Sequence, residues 1–331
     1  MKCLKTALIF FLVYGCTQNK SSTSFSLELV EEIPLQESPN HFLGRVHDIA
    51  CVTDGIYVAS VTTHSVLHFS WQGVLLNVIG AKGSGPGELQ RPVSISILND
   101  TLAVLEDGSK RISFFKRNGS FIKSKSVDMP FLNGMKLSQE QGYFIACDGL
   151  GIYDYQIYTS QGVPLSKKRK KHPTGLSMPI QSVGGQVSLT TNNEILFSPM
   201  RTYQILRLNW QGDTLKTYRA NPESYIQVDL SSQARYSRQD EYSLIGLPLE
   251  LNGYILSQRN KMIVNKKDIK KSGYERVLDI FDQNGKLLAY DIKKKYDYFG
   301  TYQENLIALS IEGNEETNLQ YSIKLYKLVV Q

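Results

Sequence analysis

Ile56–Gly73 reads IYVASVTTHSVLHFSWQG, and Leu102–Gly119 reads LAVLEDGSKRISFFKRNG in the same register. Ile145–Gly162 (IACDGLGIYDYQIYTSQG) and Ile195–Gly212 (ILFSPMRTYQILRLNWQG) repeat it again without a gap. The eleventh place holds Val66, Ile112, Tyr155 and Ile205, and the fourteenth holds Phe69, Phe115, Tyr158 and Leu208. A fifth segment, IFDQNGKLL, carries the same closing turn at Gly285. A polar residue plus Gly between two apolar runs is a strong hairpin signal, because tight hairpin turns need positive φ. The five glycines are separated by 46, 43, 50 and 73 positions. That period is one four-stranded propeller blade, with an insertion in one repeat.

Upstream, Arg45–Ile56 (RVHDIACVTDGI) aligns with Arg91–Leu102 (RPVSISILNDTL), again without a gap. Asp54-Gly55 and Asp100-Thr101 then fall in the turn between the first two strands of a blade. No stretch outside the N-terminal segment keeps helical apolar spacing, apart from one short candidate helix over Tyr236–Leu247. Residues 45–331 divide into six repeats, of which the last ends at Tyr321–Leu328 with no fourth strand. Ser24–Leu35 (SFSLELVEEIPL) alternates apolar and polar residues and supplies that strand. Closing the ring removes the unpaired edge. The expected fold is an all-β, six-bladed β-propeller whose N-terminal strand joins the last blade.

Met1-Lys2-Cys3-Leu4-Lys5 is a basic head followed by an apolar stretch from Thr6 to Tyr14, the pattern of an export signal. No apolar run reaches the ~20 residues needed to span a bilayer. Val13-Tyr14-Gly15-Cys16 resembles the lipobox of bacterial lipoproteins, and the resemblance implies cleavage before Cys16 and a lipid on that residue. Residues 1–15 are then the signal, 16–24 a polar tether (TQNKSSTS follows Cys16), and 25–331 the propeller domain. The implied location is the cell envelope, on the outer membrane; without acids after Cys16, the periplasmic side is expected rather than the surface.

The composition, 41% hydrophobic and 21% charged, is that of a globular chain rather than a disordered one. Its net charge of +6, from 37 basic and 31 acidic residues, is too small to indicate nucleic acid. Cys51 and Cys147 make no disulfide framework and read as buried free thiols in strand-like contexts.

Gly80-Ala81-Lys82-Gly83-Ser84-Gly85-Pro86-Gly87-Glu88-Leu89 links the first blade to Arg91-Pro92. It resembles the linker of NHL-type repeats and the G-x-G-P-G-E signature of six-bladed, TolB-like propeller lipoproteins. A phosphate-loop reading fails, because no Gly-Lys-Ser/Thr and no helix follow. The resemblance implies an anchored binding or assembly protein without an assigned reaction.

The connections between blades converge on one rim. Those at 80–92, 166–181 and 219–248 are long or rich in functional side chains. Arg45 and Arg91 hold equivalent places at the entry to their inner strands, with His47 on the same side as Arg45. Together they could hold a carboxylate or phosphate at the channel mouth. Tyr225, Arg235 and Tyr236 in 219–248 suit stacking on a sugar or peptide. Lys167-Lys168-Arg169-Lys170-Lys171, Lys266-Lys267, Lys270-Lys271 and Lys293-Lys294-Lys295 read as solvated surface. His64 and His68 fall on turn and strand, so their spacing of four makes no helical metal pair.

The inner-strand entries fall at Arg45, Arg91, Asn133, Gln181, Glu250 and Tyr302 in this reading, which is not the acidic ring of a metal-dependent propeller enzyme. The expectation is a monomeric, non-catalytic binder of a glycan, peptide or envelope protein, needing no cofactor or metal. The alternative is a lactonase-like hydrolase or lyase with a metal in the channel.

Overall fold

The computed structural model describes residues 23–38, 41–127, 132–138, 142–147, 155–159, 161, 163–165, 185–199, 202–227, 241–263, 273–313 and 319–331. Every regular element among them is a strand. Blade one is β2 (Val46–Val52), β3 (Gly55–Ser60), β4 (Ser65–Phe69) and β5 (Leu75–Ile79). Blade two is β6 (Pro92–Leu98), β7 (Thr101–Glu106), β8 (Arg111–Lys116) and β9 (Phe121–Ser126), each beginning 46 residues after its counterpart.

Blade three has β10 (Leu132–Ser138), β11 (Gly142–Cys147) and β12 (Tyr155–Tyr158), and a single bridge from Tyr158 to Pro164 stands in the fourth place. Blade four is β13 (Gly185–Leu189), β14 (Ile195–Pro199), β15 (Gln204–Leu208) and β16 (Thr214–Arg219). Blade five is β17 (Glu241–Leu251), β18 (Tyr254–Ile263), β19 (Gly273–Phe281) and β20 (Leu287–Lys293). Blade six is β21 (Tyr298–Tyr302), β22 (Asn305–Glu312), β23 (Gln320–Val330) and, from the other end of the chain, β1 (Phe25–Pro34).

The closure is an antiparallel ladder from Phe25 opposite Val330 to Pro34 opposite Ser322. Beyond it, Ser24 and Gln331 exchange backbone hydrogen bonds of 2.9 and 3.0 Å. Four of the five expected turns fall among the described residues and are present, and Gly162 lies outside them. Gly73, Gly119, Gly212 and Gly285 have φ of 77°, 91°, 84° and 87°, values that a residue with a Cβ rarely adopts.

Alternation along each strand divides its side chains between two neighbouring blades. Ile56 and Val58 join the core between blades six and one, while Tyr57 and Ala59 join that between blades one and two. Leu102 and Val104 face back to blade one, and Ala103 and Leu105 face on to blade three. Six such apolar clusters, one per blade interface, form the interior.

Three expectations are corrected. Residues 241–251 are strand β17, not helix, so the insertion before blade five spans 220–240 rather than reaching residue 248. Blade five is also taller than blades one to four, because β17, β18 and β19 run to 11, 10 and 9 residues. Lys294 is not solvated surface: its side chain is fully buried, since Asp297 and Gln258 receive its ammonium.

Candidate functional site

The innermost strands β2, β6, β10, β13, β17 and β21 stand side by side around the channel. Each presents an edge whose backbone groups have no further strand to pair with, and buried polar groups require partners. Short polar side chains of the adjoining blade supply them. Asp48 accepts from Ser94 Oγ at 2.7 Å and Ile95 N at 2.9 Å, joining blades one and two. Ser94 and Ser96 hydroxyls accept from Met135 N and Leu137 N at 3.1 Å each, joining two and three. Asn133 Nδ2 donates to Gly185 O at 2.9 Å, and Ser188 Oγ to Pro248 O at 2.6 Å. Gln258 donates to Tyr298 O at 2.8 Å and accepts from Tyr298 N at 2.7 Å. Tyr321 Oη closes the circuit on Gly44 O at 2.9 Å.

Near the entry ends of these strands lies a cavity of about 240 Å3 to which all six blades contribute. Its polar lining includes His47, Asp48, Ser94, Asn133, Lys136, Gln186, Gln258, Asn260 and Asp297. Asp48 is satisfied by the two contacts above and by Ile49 N at 2.9 Å. Asp297 accepts from Lys294 Nζ at 2.6 Å and from Arg276 Nε at 3.1 Å. Burial works against its charge, but Lys294 and Arg276 outweigh that and hold its carboxyl below the usual range. Burial likewise lowers the pKa of Lys294, against the pull of Asp297.

His47 Nδ1 lies 2.9 Å from Val93 O. Because only a protonated nitrogen can donate to a carbonyl, Nε2 of the neutral ring is an acceptor. Burial lowers the His47 pKa despite Asp48 alongside, so the neutral ring is favoured near pH 7. Lys136, by contrast, makes no ion pair or hydrogen bond among the described residues. The Asn260 side-chain oxygen is buried without a partner.

Of the residues singled out in the sequence, His47 and Asn133 line this cavity. Arg45 and Arg91 do hold equivalent places before β2 and β6: their carbonyls accept from Val61 N and Asp107 N. Both are exposed on the rim outside the lining, with Arg91 Nη2 3.9 Å from Asp107. Tyr225 packs on Tyr203 at 5.0 Å between centroids and donates to Gln227 Oε1 at 2.9 Å. Burial pushes its phenol up to about 12. Arg235, Tyr236, Gln181 and the Lys167–Lys171 run lie outside the described residues.

Glu250 and Tyr302 are corrected: they lie at the far ends of β17 and β21, not at the entries. There Glu250 accepts from Thr191 N at 2.6 Å and Gln283 Nε2 at 2.9 Å. His64 and His68 serve separate turns. His64 Nδ1 accepts from Arg91 N at 3.1 Å, and His68 stacks on Tyr57 at 4.0 Å.

Two buried charge clusters had no signal in the repeat. Arg259, 1% exposed, reaches Asp279 at 3.1 Å, Ser224 Oγ at 3.0 Å and Asp291. Tyr203 Oη donates to the same Asp279 at 2.6 Å. The result pins residues 222–225 to blade five. Glu106, fully buried, accepts from Gln90 N, Ser109 Oγ, Arg111 Nε and Ser113 Oγ within 2.8 Å. Arg111 donates onward to the Ser84 and Glu88 carbonyls, which holds the Gly-rich 80–89 turn rigid.

Solved structures share this architecture at low identity. An exported-named protein of Bacteroides fragilis superposes with a TM-score of 0.66 at 14% identity, over 92% of this chain and 95% of its own. A DUF4221-family member from Bacteroides vulgatus gives 0.63 at 9%, over 93% and 99%. An inactive virginiamycin B lyase from Staphylococcus aureus, solved with quinupristin, gives 0.52 at 11%, over 92% and 99%. At such identities the likeness is one of fold. No curated protein matches the sequence. The chain belongs to the 6-bladed beta-propeller family DUF5128, whose model matches residues 13–243.

Proposed function

We propose that this propeller is an exported binding protein, lipid-anchored through Cys16 after removal of residues 1–15 and tethered by residues 16–24. In this reading its ligand enters the cavity at the inter-blade rim. The observation that carries it is the cavity itself. All six inner strands contribute to it, and the Lys136 ammonium and the Asn260 oxygen there have no partner among the described residues. Concave sites with a few convergent polar groups are where small ligands bind. The Gly15-Cys16 pattern supports the anchor, and the likeness to an exported propeller is consistent with it.

Binding is favoured over metal-dependent hydrolysis or elimination by the state of the carboxylates. Asp48 and Asp297 are both engaged, and among the described residues no three His, Cys, Asp or Glu side chains converge.

Residues 17–331 on a glycan and peptide array, beside a Gln186→Trp variant that fills the cavity, test the reading. Ligands that bind the former and not the latter are expected. Binding unaffected by Gln186→Trp would move the site elsewhere, and stoichiometric Ca, Zn or Mg in the purified protein would favour the enzyme. For the anchor, Cys16→Ser should shift the full chain from the membrane to the soluble fraction, and retention with the membrane would contradict it.

A further inference from the structure

Which ligand the cavity takes follows from its charges and its unused hydrogen-bonding groups, and this step rests on the cavity being the binding site. Two carboxylates, Asp48 and Asp297, face three cations, Lys136, Lys294 and Arg276, while His47 is neutral. The balance is one positive charge. Asp48 is held by neutral donors, and Lys294 and Arg276 are committed to Asp297, so Lys136 is the cation of the cavity whose three N–H donors are unused among the described residues.

The remaining open groups are of the opposite hydrogen-bonding kind. With Asn133 Nδ2 spent on Gly185 O, its oxygen is available to the cavity. The Asn260 oxygen is buried without a donor, and His47 offers Nε2. Gln186 lines the same space, its side-chain amide without a hydrogen bond among the described residues. An occupant must therefore bring one anionic group for Lys136 and several O–H donors for the surrounding acceptors. Neutral sugars lack the first, and simple carboxylates or inorganic phosphate lack most of the second.

Size narrows the class further. About 240 Å3 exceeds the ~150 Å3 of an engineered cavity that takes up benzene, which is room for one sugar ring. We propose that the cavity binds a small polyhydroxylated monocarboxylate of the sugar-acid class, with its carboxylate on Lys136 and its hydroxyls on Asn133, Asn260 and His47.

Isothermal titration with D-glucuronate, D-galacturonate and D-gluconate, and with D-glucose as the neutral counterpart, tests this on residues 17–331. At least one acid should bind ten-fold or more tightly than glucose. Lys136→Met should weaken that acid at least ten-fold and leave the melting temperature unchanged, with Lys136→Arg recovering part of the affinity. Three silent acids, equal binding of glucose, or indifference to Lys136→Met would each overturn the proposal. The two readings fail separately. If a neutral array ligand is lost in Gln186→Trp while the acids are silent, the cavity remains the site and only the sugar-acid assignment falls. If Gln186→Trp loses nothing, both fall.

Discussion

A chain that begins at His41 lacks β1 and leaves β23 as a bare edge. The loss can be estimated from what β1 contributes. Ile33 and Leu35, 3% and 7% exposed, belong to the core between blades six and one. Burial of such a side chain contributes about 1.5–3 kcal/mol, so the two together give about 3–6 kcal/mol. Ladder hydrogen bonds at about 1 kcal/mol each are largely offset by the 1–2 kcal/mol that ordering each residue costs. The side-chain figure is therefore the net effect, against a total of about 5–15 kcal/mol for a folded domain. At about 2–4 °C per kcal/mol, the truncated chain should melt roughly 6–24 °C lower. Its exposed edge should also pair with other copies. Calorimetry and light scattering on chains beginning at Thr17 and at His41 measure both effects. Ile33→Ala alone should cost about 2–5 kcal/mol. Equal melting and equal monodispersity of the two chains would refute the argument that β1 is a structural part of the ring.

Replacing Arg259 by Met strands Asp279, which is fully buried, and should cost about 3–5 kcal/mol in urea denaturation. Arg219→Met, at an exposed site, should cost under about 0.5 kcal/mol, and equal effects would deny the buried cluster its role. Burial lowers the pKa of His47, His64 and His68 in the folded protein. The unfolded chain therefore binds more protons below about pH 6.5, so stability should fall on acidification through that value and level off beneath the folded pKa values. Thermal melts from about pH 7.5 to about pH 5.5 should show the drop, with a smaller one in His47→Gln; a rise in stability over this range would reverse the assigned sign.

Blades one and two were legible to the residue, because strict alternation and glycine turns are local signals. Blade five was not. A β-bulge between Ile245 and Pro248 shifts the register of β17. Ile245 joins the core between blades four and five, whereas Leu249 and Leu251 join that between blades five and six, so no single alternation runs through the strand. The cavity was half visible. His47 and Asn133 were found because they sit at strand entries with clear counterparts. Lys136 and Gln186 precede the aligned segments Ile145–Gly162 and Ile195–Gly212, and Asp297 lies in the last repeat, so no alignment reached them. Asn260 comes from a second strand, β18, which reaches the cavity only because blade five is tall. The clusters around Arg259 and Glu106 join residues up to 76 positions apart, a proximity that no local pattern encodes.

The Ser24–Gln331 pairing also orients the whole molecule. In four blades the third and fourth strands are joined by a short hairpin, and in the sixth the two chain ends meet at that place instead. Any load on the N-terminus is therefore applied at the hairpin rim, whereas the cavity opens among the strand entries at the other pole of the ring. A chain held to a bilayer by Cys16 would stand with its cavity facing the aqueous space.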